Sequence, residues 1–218
     1  MHREPGFAAV LTSDSATKYV GQAIERLEDA ALLTGCGAFA DDLGVKPGTM
    51  HAAILRSPHA HAELLAIDAS AALEMPGVRA VLTGEDVKRW SQPFVVGVKQ
   101  PMQHWALAID RVRYVGEPIA VVIAEDRYLA EDAVDAIRVD YQPLAAVIGI
   151  KRALDPASPV LHPALGGNVI SERAFRYGDP EAAFERASRR VSLVAHYPRN
   201  SCTPIETYGV VAVVKLPR

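Results

Sequence analysis

Arg111-Val112-Arg113-Tyr114-Val115-Gly116-Glu117-Pro118-Ile119-Ala120-Val121-Val122-Ile123-Ala124 is the stretch that decides the fold. Its two apolar runs are β-branched and almost free of charge, which predicts strands buried on both faces. A glycine-proline turn separates them. Immediately after comes Asp126 through Ile137. Asp126 can cap a helix, and Tyr128, Leu129, Ala133, Val134 and Ile137 fall on one face of it. Val139-Asp140-Tyr141 then returns to strand, with Pro143 just beyond.

Working outward toward the N-terminus, His51 to Arg56 and Leu64 to Asp68 read as short strands. Ala69 to Glu74 reads as a helix, and Pro76-Gly77 turns the chain into a strand from Val78 to Leu82. A short helix starts at Asp86-Val87. Residues 91–108 hold prolines and little pattern and are read as loop. Residues 18–34 predict a short helix ending near Gly35 and Gly37. Residues 1–17 carry no periodicity and read as a flexible leader.

Toward the C-terminus, Ala153 to Gly167 is proline-rich and ends in a glycine pair, which reads as a linker over the surface. Ile170 to Arg176 is strand-like. Asp179-Pro180-Glu181 opens a helix to about Ala187, with proline in its first turn. Arg190 to Tyr197 and Val210 to Val214 read as strands. The sum is an α+β fold, with a compact domain near 33–145 and a second beginning at about 160.

Composition bounds the function. The chain has 218 residues, half of them hydrophobic and 22% charged, with a net charge of −3. That is ordinary for a globular protein with a sizeable core. The acidic balance argues against nucleic acid as the main partner. The basic group Arg173, Arg176, Arg186, Arg189 and Arg190 is interleaved with Glu172, Asp179, Glu181 and Glu185, as on a solvated helix face. Cys36 and Cys202 lie far apart and make no disulfide framework, which suits a reducing cytoplasm. Two cysteines also fall short of the four thiolates of an iron–sulfur cluster. No apolar run reaches the length of a membrane span, and Phe7 to Leu11 is too short for a secretory signal.

Few side chains point to chemistry by type alone. His59 and His61 are a possible ligand pair, since residues two apart share a strand face. Pro58 before them, and the lack of a third ligand at nearby spacing, favour structural histidines. Gly35-Cys36-Gly37 and Gly166-Gly167 lack the frame of a phosphate loop and read as turns. Neither cysteine is spaced to pair with a particular histidine. Glu206 follows Pro204 at the entrance to an apolar strand, where a carboxylate can reach a pocket. By residue type it reads as a solvated glutamate, and so does Glu117.

Taken in order, Arg26-Leu27-Glu28-Asp29, Leu33-Thr34-Gly35, Leu55 to Ala62, Arg113 to Pro118, Gly178-Asp179 and Pro204-Ile205-Glu206-Thr207 resemble the front of the molybdenum hydroxylase large subunit. This is the xanthine dehydrogenase, aldehyde oxidase and carbon monoxide dehydrogenase family. The resemblance covers nearly everything from Val20 to about Ala212.

It implies an α/β-hammerhead domain over 18–150, a linker over 151–167 and the incomplete beginning of a molybdenum-cofactor-binding domain over 168–218. It implies an oxidoreductase acting on aldehydes, N-heterocycles or carbon monoxide. Molybdopterin, [2Fe–2S] clusters and FAD are expected in the assembled complex and none in this chain alone. The implied partners are the remaining molybdenum-binding portion, an iron–sulfur small subunit and an FAD-binding medium subunit.

Glu206 matches the glutamate of the family's Pro-Leu-Glu-like motif, which in purine-oxidising members faces the substrate pocket. Arg56 and His59 match positions of structure or subunit contact. The family's Gly-Gly-x-Phe-Gly segment, later pterin-binding loops and C-terminal catalytic glutamate are not in this sequence, so no catalytic residue is assigned. The alternatives are a non-catalytic hammerhead binding module and a truncated reading frame without function.

Overall fold

The computed structural model describes residues 20–96, 102–198, 200–204 and 206–213. The leader expected over 1–17 lies outside them. The chain divides into two units, residues 1–45 with 197–218, and residues 46–196.

In the first unit, helix α1 runs over Asp29–Leu33. Thr34 turns its hydroxyl back onto the Ala30 carbonyl at 2.8 Å. Gly35, at φ +73°, ends the helix in the left-handed region where glycine carries no Cβ penalty. A single 3-10 turn follows at Ala40–Leu43.

The second unit is built on strands. These are β1 (His51–Arg56), β2 (Ala62–Asp68), β3 (Val78–Thr83), β4 (Phe94–Val96), β5 (Met102–His104), β6 (Arg111–Val112), β7 (Pro118–Ala124) and β8 (Arg138–Pro143). Helices α2 (Ser70–Leu73), α3 (Gly84–Trp90), α4 (Arg127–Asp135), α5 (Ile150–Leu154) and α6 (Pro180–Arg186) connect or follow them. One sheet has the order β1-β7-β3 and another β6-β2-β8, and every pairing is antiparallel.

β7 is central because its sequence permits it. Alternation sends Ala120 and Val122 to one face, where they meet Ala72, Ala133 and Ile137. Ile119 faces the other way, into Ala62, Ala108 and Val112. Both clusters share Ile67, so the two sheets close around one continuous apolar seam. Each fully buried large side chain here contributes roughly 1.5–3 kcal/mol by leaving water. α4 packs on β1 and β7. Asp126 caps it, accepting the Leu129 N–H at 2.9 Å, as the sequence predicts.

Four expectations change. Residues 91–108 are not all loop: Phe94–Val96 pairs antiparallel with Met102–His104. Tyr128 does not join the apolar face of α4. It is 77% exposed, and Ala130 is buried in its place beside the expected Ala133.

The segment 153–167 is a folded loop rather than a bare linker. Asn168 accepts the Leu161 N–H at 3.0 Å and donates to the Pro159 carbonyl at 2.9 Å. A 3-10 turn at Pro163–Leu165 is set within it.

Finally, residues 170–176, 190–197 and 210–213 form no strands, despite strand-like sequences. A strand exists only with a ladder partner, and these segments pair with none of the described residues. Their apolar side chains stand in solvent: Val194 is 94% exposed and Val210 91%.

Candidate functional site

Two motifs noticed separately in the sequence meet in space. The Arg113–Pro118 turn is clamped by the Arg56–Ser57 corner that ends β1. The Ser57 N–H donates to the Glu117 carbonyl at 2.9 Å, and the Gly116 N–H donates to the Ser57 carbonyl at 2.8 Å. Arg56 Nη1 donates to the Gly116 carbonyl at 3.0 Å. Gly116 sits at φ +88°, a value the turn requires and a side chain would resist.

Within this turn Glu117 is buried, at 8% exposure. Its reading as a solvated carboxylate is therefore wrong. The carboxylate is folded back under the turn, where Oε2 accepts the Arg113 backbone N–H. Burial pushes its pKa up, against the pull of that hydrogen bond and the Arg113 charge. No local pattern signals this, because the cover comes from Ser57, sixty residues away.

Arg113 is similarly engaged. Its Nε donates to the Leu161 carbonyl at 3.2 Å and its Nη1 to the Arg111 carbonyl at 3.1 Å. A cleft of about 910 Å³ opens beside the turn, a size that suits a small molecule. Its polar lining includes His104, Asp110, Arg113, Glu117 and His162, with Trp105 and Tyr114 as aromatic walls. Burial lowers the pKa of His162, helped by the nearby positive charge of Arg113 and then by His104. Burial raises that of Tyr114.

His59 and His61 are not brought together as a ligand pair. His61 is buried and its Nδ1 lies 2.9 Å from the Ala145 carbonyl. A carbonyl only accepts, so Nδ1 carries the proton. His59 packs its ring on Tyr141, with centroids 4.6 Å apart. Among the described residues no three His, Cys, Asp or Glu side chains gather around a metal-sized space. Cys36 and Cys202 are free and exposed.

Glu206 lies in the other unit and is exposed. Its Oε1 accepts the Ala40 N–H at 2.5 Å, so the carboxylate satisfies the first amide of the 3-10 turn. Thr203, three residues earlier, holds φ +37°, an unusual value for a residue with a side chain.

Residues 34–145 match the model of the aldehyde oxidase and xanthine dehydrogenase a/b hammerhead domain. The chain is 38% identical over 197 residues to the nicotine 6-hydroxylase large subunit of Paenarthrobacter nicotinovorans, covering 88% of this chain and 24% of that protein. It is 39% identical over 202 residues to the carbon monoxide dehydrogenase large chain of Hydrogenophaga pseudoflava, covering 85% and 24%.

Among solved structures, quinoline 2-oxidoreductase from Pseudomonas putida 86 superposes with a TM-score of 0.66 at 39% identity, over 78% of this chain and 22% of that one. The chain thus spans about a quarter of the length of these relatives. With an α+β fold whose matched region holds both sheets and α4, the chain belongs to the aldehyde oxidase and xanthine dehydrogenase family and carries its hammerhead domain.

Proposed function

We propose that this chain supplies the hammerhead portion of the large subunit of a molybdenum-cofactor oxidoreductase, working in the cytoplasm and only within a complex. The hammerhead spans residues 18–150, and residues 168–218 belong to the molybdenum-binding region. The complex brings the remaining molybdenum-binding portion, a [2Fe–2S] small subunit and an FAD-binding medium subunit, and it oxidises aldehydes, N-heterocycles or carbon monoxide. One observation carries this reading. The strand-like segments 190–197 and 210–213 expose their apolar side chains without ladder partners among the described residues, and strands of that kind are completed by another polypeptide or segment. The match to a quarter of each large-subunit relative points the same way. No helix among the described residues is long and apolar enough to cross a membrane.

The chain's own donors do not fit the redox groups. Two cysteines cannot ligate a [2Fe–2S] cluster, and Glu117, Glu206 and His61 are spent on backbone groups, Asp110 on Arg111 and Arg113 and His59 on Tyr141. No electron-transfer step is therefore assigned to these residues. The role we assign to Glu206 is to line the substrate pocket once the complex is built, with its carboxylate leaving Ala40 to meet substrate.

The test is to co-express the chain with the remaining large-subunit portion and the two smaller subunits, purify through this chain, and measure molybdenum, iron and flavin. Stoichiometric molybdenum with iron and FAD supports the reading. A partner-free chain without metal or flavin overturns it. That outcome would leave the second reading, a hammerhead binding module without redox chemistry, for which the cleft beside Arg113 is the favouring observation.

A further inference from the structure

Residues 153–168 are cross-braced by their own side chains. Asn168 staples the segment by holding Leu161 and Pro159. Ser158 is buried, and its hydroxyl donates to the Arg152 carbonyl at 2.5 Å. The Ala157 N–H donates to Asp155 at 2.9 Å. This is the construction of a compact surface loop packed by its own side chains, whose internal bonds open when it is released.

The loop lies along the cleft beside the Arg113 turn, to which it contributes Leu161, His162, Pro163 and Leu165. Its tie to the hammerhead is the bond from Arg113 Nε to the Leu161 carbonyl, one residue from His162. Arg113 is itself held by the Glu117 carboxylate under its amide and by the Arg111 carbonyl.

We propose that residues 153–168 are a clasp over this cleft, held shut by Arg113 and released when acid charges His162 beside it. The inference stands apart from the redox reading of the complex. The argument is one of like charges. A protonated His162 joins the fixed charge of Arg113, and Lys88, His104 and Arg111 also line the cleft. Asp110 and Glu117 are the opposing acids, but both are engaged. Asp110 pairs with Arg111 at 3.5 Å and Arg113 at 3.4 Å, and Glu117 accepts the Arg113 amide.

The sign follows from the environment. Burial, Arg113 and His104 hold the folded pKa of His162 below its ordinary value. The closed clasp is therefore favoured in full above the ordinary histidine range and is lost as pH falls through the lowered value.

Hydrogen exchange of the full chain, read as protection factors so that intrinsic pH effects cancel, tests this. Between about pH 7.5 and about pH 5, amides of Ser158, Leu161 and Leu165 should lose about tenfold in protection while β7 amides keep theirs. His162→Asn should abolish that pH dependence. Arg113→Ala should lower clasp protection about tenfold or more at both pH values, and Arg113→Lys, which keeps charge but loses the planar fork, should fall between. Three results would each overturn the proposal: equal clasp protection at both pH values, a parallel loss in β7, or acid sensitivity that survives in His162→Asn. If Arg113→Ala does not fold, the native chain and His162→Asn still decide the matter.

Discussion

Glu117 shows how one residue can organise a corner. It sits in a turn, yet the Arg56–Ser57 backbone covers it and its carboxylate satisfies the Arg113 amide. Replacing it with leucine leaves that buried amide without an acceptor, which should cost about 1–3 kcal/mol in urea unfolding. Glu117→Gln keeps an acceptor oxygen and should cost less. The pH dependence should separate them further. The folded pKa of Glu117 is raised by burial, so its contribution is fullest below the ordinary carboxylate value and is lost as pH rises through the folded value. The stability of Glu117→Gln relative to the native chain should therefore improve from about pH 4 to about pH 7, and a flat difference would mean the carboxylate is not desolvated. The sequence could not announce this, since residue type and neighbours suggested a solvated acid. Glu206 stood out only through its motif; what the structure adds is its bond to Ala40, joining positions 166 residues apart.

At the scale of elements, strong local pattern was readable and cooperative pairing was not. β7 and α4 announced themselves because a β-branched apolar run and a capped amphipathic helix need no distant information. The hairpin of β4 and β5 did not, since each strand is three residues long and prolines break the alternation. The segments at 170–176, 190–197 and 210–213 erred in the opposite direction: their composition suits a sheet, but composition cannot supply a ladder partner. Two substitutions probe the elements that do form. Ile119→Ala empties the junction of the two sheets at a fully buried position and should lower stability by about 2–5 kcal/mol in urea. Gly84→Ala places a Cβ 2.2 Å from the Ala108 carbonyl oxygen. Because backbone must move to admit it, the variant should show a loss of more than about 1 kcal/mol by thermal unfolding, despite alanine's better helix propensity.

For the molecule as a whole, the contrast lies between a well-buried pair of sheets and exposed apolar stretches that pair with none of the described residues. Val191, Leu193 and Val194 are each at least 84% exposed. The isolated chain should self-associate as its concentration rises, as light scattering would show. Exchanging those three for Ser or Lys should suppress association while moving the unfolding midpoint little, because surface changes of this kind usually stay within about 0.5 kcal/mol. Unchanged association would put the sticky surface elsewhere.

The strand order β1-β7-β3 also imposes a schedule on synthesis. The flanking strands β1 and β3 are complete by Thr83, but neither pairs with the other, and both wait for β7 to end at Ala124. At roughly 5–20 residues per second, the ribosome needs about 2–8 s to add the intervening stretch. During that pause the nascent chain shows two unpartnered strands to the crowded cell. Slow codons between these points would lengthen the exposure, and chaperone capture should peak there and fall once β7 emerges.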